Sequence, residues 1–111
     1  TTKATQGLTG TITAIVDYIT SVTTGAFTFA VEVEALAEGD AADLDSAASF
    51  DTANAAADTG AATAGYLAQH SITLTNADGV AVGDLVRIRL ARTDTTTGTA
   101  YVLAVEIRDA A

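Results

Sequence analysis

The chain of 111 residues contains no Cys, no Pro, no Met and no Trp, and it has few basic side chains. Without Cys it can form neither a disulfide nor a thiolate metal site. Five Lys and Arg residues stand against 14 Asp and Glu residues, which gives a formal net charge of −9. Because phosphate binding needs clustered Lys and Arg, this balance argues against nucleic acid as a direct partner. No apolar run reaches the length of a signal peptide or transmembrane helix, so we expect no membrane partner.

Short stretches in which apolar and polar residues alternate are the clearest structural signal. The best of them, at 27–34, places Phe and Val at odd positions and ends with Glu at two even positions. The pattern recurs at 86–90 and 103–108. Since successive side chains of a strand point to opposite faces, a period of two predicts strands with one buried and one solvated face. Such strands build an all-β antiparallel sandwich or barrel.

The order of elements follows from these stretches and from the turns between them. We expect strands at 11–19, 27–37, 70–75, 85–92 and 100–108, with shorter extended segments near 49–56 and 63–68. Residues 76–79 and 83–84 contain Asp-Gly and Gly-Asp pairs, which predict turns. The Thr-rich stretch 93–99 is expected to join the last two strands as a hairpin whose tip is mobile or docked. Since Pro is absent, edge strands need protection by charge or by contacts.

Two segments do not fit the strand pattern. Residues 1–10 are polar apart from Leu8 and contain two glycines, which indicates an extended N-terminal arm before a single β-sandwich domain at 11–111. Residues 41–64 are rich in Ala, and their composition favours a short helix or loop at 41–48. One longer helix lying across the sandwich is the alternative.

The composition also predicts a thin core. Ala and Thr together make up 45 of the 111 residues, beside only three Phe and three Tyr. At about 25 cal/mol per Å² of buried apolar area, such a core barely offsets an entropy cost of about 1.5 kcal/mol per residue. Ile15 and Ile19 give the first strand a second apolar face, as in a strand covered by a neighbouring chain. We therefore expect a homo-oligomer (a dimer or trimer) or a subunit docked on another protein.

No arrangement of side chains predicts catalysis. His70 is the only histidine, and its neighbour Ser71 points to the opposite face of the strand, so we expect a polar residue near a strand start. Glu32 and Glu34 share a strand face at a spacing that two catalytic carboxylates could use, but no aromatic platform for a sugar accompanies them. We therefore expect no catalytic residue, no cofactor and no enzymatic activity.

Other polar groups have structural explanations. Asp40, Asp43 and Asp45 lack the alternating spacing and closing Glu of a Ca²⁺ loop, so loop and N-cap roles are favoured and no metal site is expected. The tyrosines are expected to be half-buried, with hydroxyls that reach the surface: Tyr18, Tyr66 and Tyr101.

The arginines of the 86–90 stretch leave two interpretations open. Arg87 and Arg89 share a strand face, as do Glu32 and Glu34. In the first interpretation these side chains pair across strands on a solvated face. In the second, the two arginines bind carboxylates of a partner subunit and fix its orientation.

Much of this pattern resembles small structural domains of tailed-phage virions. Residues 83–94 and 101–107 combine a Gly-Asp turn, an apolar-Arg-apolar-Arg strand, an Asp-Thr-rich loop and an apolar last strand, like the closing hairpin of those domains. Residues 29–36 and 49–53 are similar in order and spacing. The resemblance covers about residues 26–109 and implies a jelly-roll-like β-sandwich.

The resemblance also implies a role. Domains of this kind are capsid cement or decoration proteins, or modules of head or tail fibres. We therefore expect a virion structural protein on the outer capsid surface, with the major capsid protein and copies of itself as partners. A fibre or receptor-binding module that contacts a host glycan or protein is the alternative. A cellular adhesin or surface-layer domain would also suit the acidic, Ala- and Thr-rich composition.

A cement protein of this kind is expected to bind through its arm, its loops at 41–64 and 93–99, and its paired arginines. The predicted interface residues are Thr1, Thr2, Lys3, Leu8, Arg87, Arg89, Thr95, Thr96 and Thr97.

Overall fold

The computed structural model of the chain describes residues 2–3, 12–40 and 50–109. Within these ranges the regular secondary structure is entirely β, and no helix is present. The strands are β1 (Thr2–Lys3), β2 (Ile12–Thr20), β3 (Phe27–Leu36), β4 (Asn54–Asp58), β5 (Ala68–Leu74), β6 (Leu85–Arg92) and β7 (Ala100–Asp109). The helix or loop predicted at 41–48 and most of the predicted arm at 1–10 lie outside the described residues.

The strands form two antiparallel sheets that share one core. The four-stranded sheet has the order β1-β6-β3-β4, and the three-stranded sheet has the order β5-β2-β7. Strand pairs enclose one another along the chain: β3 pairs with β4, the strands on either side of these, β2 and β5, pair with each other, and so do β1 and β6. This is the pairing scheme of a jelly roll. β7 is added on the free side of β2. The predicted all-β, jelly-roll-like sandwich is confirmed.

The core lies between the sheets and follows the period of two. Buried and half-buried side chains alternate strictly along β2, so its even-numbered residues face inward while Ile15 and Ile19 are half-buried on the other face. Tyr18 is fully buried, with its ring edge-on to Phe29 at 5.0 Å between centroids. Its hydroxyl donates a hydrogen bond of 2.6 Å to Oδ2 of Asp58 in β4, which links the two sheets. The prediction that Tyr18 is half-buried is therefore wrong.

The main predicted strands agree with the structure to within two residues, but the short segments do not. β4 occupies only the end of the predicted 49–56 segment and continues past it. The extended segment predicted at 63–68 is wrong, because the chain turns there and β5 begins at Ala68. Within this segment Gly65 adopts a positive φ angle of 82°, which lies outside the β region of a regular strand. The N–H of Gly65 donates to the carbonyl of Thr20 at 2.9 Å, which holds this turn against β2.

The hairpin predicted at 85–108 is also wrong. β6 belongs to the four-stranded sheet and β7 to the three-stranded sheet, so residues 93–99 cross between the sheets. The hairpin does not form because each strand pairs with a strand from earlier in the chain: β6 pairs with β3, and β7 pairs with β2. Of the two alternatives for the Thr-rich stretch, mobile or docked, the structure shows docking. The N–H of Thr93 donates to the carbonyl of Thr28 at 3.0 Å.

The predicted turns are confirmed. Asp78 and Gly79 both adopt positive φ, at 55° and 62°, and the N–H of Val80 closes the turn on the carbonyl of Ala77 at 3.2 Å. Positive φ at both central residues is the type I′ geometry that Asp-Gly favours. In the second turn Gly83 has φ of 90°, again as expected for Gly at this kind of position.

Candidate functional site

The largest group of exposed apolar side chains among the described residues lies on β7. This strand is at the edge of its sheet and has no described strand on its outer side. Four of its side chains are large, apolar and exposed: Tyr101 (55%), Val102 (42%), Leu103 (60%) and Val105 (36%). We call these four residues the β7 patch. Contiguous apolar groups on a surface mark interaction sites.

The register with β2 explains why these side chains are uncovered. Val102 lies opposite Tyr18, and Val105 lies opposite Val16. Residues opposite one another share a face of the sheet, so both valines point to the same side as the core. The β2 residues are fully buried, whereas the valines next to them are exposed. The core therefore reaches β7 only at its two ends, where Ala100 and Ile107 pack against it, and the middle of the strand is uncovered.

The opposite side of the sandwich is closed by a buried amide. Asn54 of β4 accepts hydrogen bonds from the backbone N–H and the hydroxyl of Thr75 at 3.0 and 2.9 Å, just after β5. Its Nδ2 donates to the carbonyl of Asn76 at 3.1 Å. These bonds join the edges of the two sheets at β4 and β5. The open side of the sandwich is therefore the one at which the sheets end in β1 and β7, with β6 next to β1.

The two edges of the three-stranded sheet differ in chemistry. On β5 the exposed side chains are polar: Gln69, Ser71 and Thr73. On β7 the corresponding surface carries the β7 patch. An exposed apolar edge strand is a template for pairing with another chain, and natural proteins protect such edges with charge, Pro or a cover. β7 has no Pro, and its charged residues lie only at its C-terminal end.

The sequence does not predict that the β7 patch is exposed. Its alternation at 103–108 predicts a buried face for the apolar residues there, and Tyr66 and Tyr101 are predicted to be half-buried, whereas both tyrosines are exposed. A signal was present: residues 100–105 contain no polar side chain except the hydroxyl of Tyr101, so the alternation fails there. A strand that is apolar on both faces at the edge of a sheet requires a cover on both faces.

The predicted interface arginines are engaged within the chain. Arg89 binds Glu32 through two hydrogen bonds, from Nε at 2.9 Å and from Nη2 at 2.8 Å. Arg87 Nη1 donates to Glu34 Oε1 at 3.0 Å, and Glu34 is buried. The cross-strand pairing that the sequence offered as one interpretation is therefore present. Binding of the same arginines to a partner stays a prediction.

An aromatic ring completes this cluster. The guanidinium of Arg89 lies 4.5 Å from the ring centre of Phe50, and that of Arg87 lies 5.5 Å from it. The hydrogen bond from Arg89 lowers the pKa of Glu32 below its ordinary value. On the outer face of the four-stranded sheet, each of these two arginines is thus paired with a carboxylate and lies over the ring of Phe50.

The crossing segment at 93–99 is organised around Arg92. Its guanidinium donates from Nε and Nη2 to Asp94, and from Nη1 to the carbonyl of Gly98 at 2.7 Å. The hydrogen bond from Arg92, with further ones from the N–H groups of Thr28 and Thr96, holds the pKa of Asp94 well below its usual range. Fixed in this way, the segment holds a defined shape on the surface.

The predicted threonine contacts divide into two kinds. Thr96 is half-buried, and its hydroxyl donates to the carbonyl of Ala26, so it anchors the segment within the chain. Thr95 and Thr97 are exposed on either side of it. These two hydroxyls remain available to a partner.

The predicted arm residues are only partly described. Thr2 and Lys3 form β1 and pair with Val86 and Leu85 of β6, which places the start of the chain on the open side of the sandwich. Thr1 and Leu8 lie outside the described residues.

His70 lies in the middle of β5 rather than at a strand start. It stands opposite Val16, on the core side of the sheet, and its Nε2 is buried with no hydrogen-bond partner among the described residues. Ser71 is exposed on the other face, so the two side chains do not meet, as predicted.

Several aspartates in the described loops accept hydrogen bonds from backbone N–H groups. Asp40 Oδ2 accepts a hydrogen bond of 2.8 Å from the N–H of Ala37, which confirms a loop role for that residue; Asp43 and Asp45 lie outside the described residues. In the part of the chain that the structure describes, no three His, Cys, Asp or Glu side chains are grouped as a metal site would require. The same part contains no helix of the length and hydrophobicity needed to cross a membrane.

Among the described residues, the β7 patch is thus the largest exposed apolar group, while Arg87, Arg89 and Arg92 are engaged in hydrogen bonds within the chain. Comparisons with known proteins do not add to this assignment. A scan against family models and searches of curated proteins and of solved structures found no match to the chain, so its resemblance to tailed-phage domains stays a prediction.

Proposed function

We propose that the chain is a non-enzymatic structural protein of a tailed-phage virion, which cements neighbouring subunits of the major capsid protein on the outer surface of the head. The observation that carries this proposal is the exposure of the β7 patch. Four large apolar side chains on one edge strand are a feature of a protein that is covered in its working state. The resemblance of the sequence pattern to phage structural domains, which is a prediction, supplies the setting.

The mechanism follows from the shape and charge of the molecule. A stiff sandwich lies over a junction between capsid subunits, and its apolar edge and its Thr-rich segment contact different neighbours. Each contact is small. Many copies on one shell bind at once, so the shell is held together by their combined effect rather than by any single strong contact. The net charge of −9 keeps the free protein soluble until it docks.

The test uses shells that lack the protein. Purified chain is added to such particles, and binding is measured by co-sedimentation while the opening of the shell is followed during heating. We expect saturable binding and a higher opening temperature. Saturation at a fixed ratio to the major capsid protein would support cementing, whereas absence of binding to intact shells would contradict it.

A matched pair of variants tests which surface binds. Leu103→Asp places a charge in the middle of the β7 patch, and Thr73→Asp does the same on the polar edge strand β5, where a charge is tolerated. We expect the first to lose binding to shells and the second to keep it. Equal binding by both variants would show that the β7 patch is not the surface that meets the shell.

The N-terminal arm gives a further test. We expect removal of residues 1–10 to release the protein from particles while its own melting temperature changes little, because the part of the arm that the structure describes, Thr2–Lys3, is a strand of two residues on the edge of β6. Unchanged occupancy after this deletion would remove the arm from the mechanism.

One observation favours the second candidate, a fibre or receptor-binding module. Tyr66 and Tyr101 expose 67% and 55% of their surface, and exposed aromatic rings are what a sugar-binding surface needs. Binding of the labelled chain to host cells, measured with and without removal of surface glycans, separates the candidates. Binding to cells that is lost with the glycans, together with no effect on shells, would favour the fibre module.

A further inference from the structure

The free edge of β7 is suited to one occupant in particular. A flat apolar strip can be covered by many proteins, but an unpaired strand edge also needs hydrogen-bond partners for alternate N–H and C=O groups along its length. Another strand supplies both the hydrogen bonds and the side-chain contacts. The question is which strand.

The charges on β7 favour a second copy of the same strand in antiparallel orientation. Glu106, Arg108 and Asp109 all lie at one end, and 100–105 carries no charge. In a parallel arrangement Glu106 would lie beside Glu106 of the other copy, which is destabilising. In an antiparallel arrangement each charged end lies beside the uncharged end of the other strand. Like charges are thereby kept apart, even though the chain as a whole has a charge of −9.

The irregularity in β7 selects the register. Asp17 lies opposite Ala104 and Tyr18 opposite Val102, so Leu103 is the extra residue of a bulge. If Ala104 lies opposite Ala104 of the second copy and the bulge is repeated in both, Val105 meets Val102 of the other strand. Both valines are on the core side in their own sheet, so this register keeps apolar side chains on one shared face.

We infer that β7 pairs antiparallel with β7 of a second copy about Ala104, and that this joins the two three-stranded sheets into one sheet of six strands. The inference rests on the proposed function, because it names a partner for the same β7 patch. The pairing is closed by two-fold symmetry: each copy uses the same edge of its three-stranded sheet, and the other edge of that sheet, β5, exposes polar side chains and contacts β4. The product is a dimer and not a fibre.

The amount of surface agrees with a reversible dimer. The exposed fractions of the four patch residues amount to roughly 350 Å² of apolar surface per copy, compared with the ~800 Å² per partner that a stable interface buries. We therefore expect dissociation at micromolar concentrations, with the dimer favoured where many copies are held close together on one surface.

The absence of Cys allows a direct test on the whole chain. Residues that face themselves across an antiparallel pair have Cα atoms about 4.5–5.5 Å apart, within the range that a disulfide spans. We expect Ala104→Cys to form a covalent dimer rapidly under mild oxidation. Ser71→Cys, on the polar edge of the same sheet, is the matched control and should cross-link at least about tenfold more slowly.

A second measurement does not depend on cysteine chemistry. Sedimentation of the wild-type chain over a range of concentrations should show a monomer–dimer equilibrium, and Leu103→Asp should lower the association constant by more than about tenfold. Circular dichroism of this variant checks that it is folded; Ala104→Cys changes only a small exposed side chain, so it provides the answer if Leu103→Asp does not fold. A wild-type chain that stays monomeric, with no preference of Ala104→Cys over Ser71→Cys in cross-linking, would overturn the inference.

The two proposals fail in different ways. If the chain dimerises through β7 but does not bind shells, the pairing stands and the cementing function is wrong. If the chain binds shells as a monomer through the β7 patch, the function stands and the partner of β7 is a strand of another protein.

Discussion

Replacement of Tyr18 by Phe tests how the two sheets are held together. The Tyr18 side chain is fully buried, its ring packs edge-on against Phe29, and its hydroxyl donates to Asp58 of the other sheet at 2.6 Å. Phe keeps the ring and removes only the hydroxyl. The variant therefore measures the link between the sheets with little change in packing.

The expected loss follows from the surroundings of the acceptor. A hydrogen bond to a charged group contributes about 1.5–3 kcal/mol, and loss of the donor costs most when the acceptor stays buried. Asp58 is half-buried, so its carboxylate regains water in the variant. We expect Tyr18→Phe to lower the free energy of unfolding by about 1–2 kcal/mol, which corresponds to a fall in melting temperature of roughly 4–15 °C for a domain of this size.

Urea unfolding followed by far-UV circular dichroism measures this loss. Tyr101→Phe is the matched control, because its side chain is exposed, and we expect a change below about 0.5 kcal/mol. A double-mutant cycle with Asp58→Ala isolates the bond: Tyr18→Phe should cost little in that background. Equal stability of Tyr18→Phe and wild type would refute the reasoning, since it would show that the bond contributes no net free energy.

Three further predictions concern single residues. Burial raises the pKa of Tyr18, and the hydrogen bond to Asp58 raises it further, so the unfolded chain loses the Tyr18 proton at a lower pH than the folded chain does. The free energy of unfolding should therefore decrease above about pH 10, and in an alkaline titration it should decrease less for Tyr18→Phe. Because the pKa of Asp94 is lowered in the folded chain, its carboxylate stabilises the fold above about pH 4, and this stabilisation is lost on acidification. Asp94→Asn should therefore have a lower melting temperature at neutral pH, and that temperature should change less as the pH is lowered. Gly98→Ala should cost about 2 kcal/mol or more in urea unfolding, because φ is 120° and the new Cβ would lie 2.6 Å from Val22. Gly39→Ala, with φ of 89° and open space, should cost only about 1 kcal/mol.

The sequence predicted the parts of the fold that depend on local chemistry. Alternation between Phe or Val and Glu specified both the strand at β3 and its buried face, because a one-residue shift would expose Phe27 and Phe29. Asp78 and Gly79 specified their turn, because few residue pairs tolerate two successive positive φ angles. The pairing of Arg89 with Glu32 was available as one interpretation from shared faces alone.

The parts that failed depend on contacts between distant residues. Whether residues 93–99 close a hairpin or cross between sheets depends on the partners of β6 and β7, which are β3 and β2, and nothing within the segment itself encodes that choice. The exposure of Tyr101 and Leu103 depends on how far the opposite sheet extends. The candidate surface was missed for the same reason, since burial was inferred from each strand alone.

The Arg92 cluster has a consequence for how the surface binds. Arg92 joins Asp94 and the carbonyl of Gly98, and Asp94 in turn accepts from the N–H groups of Thr28 and Thr96, so three backbone positions are tied to two side chains. The exposed hydroxyls of Thr95 and Thr97 are thus preorganised before any encounter. A molecule that docks on them loses little conformational entropy from this loop, so even a few weak hydrogen bonds there are retained as net affinity.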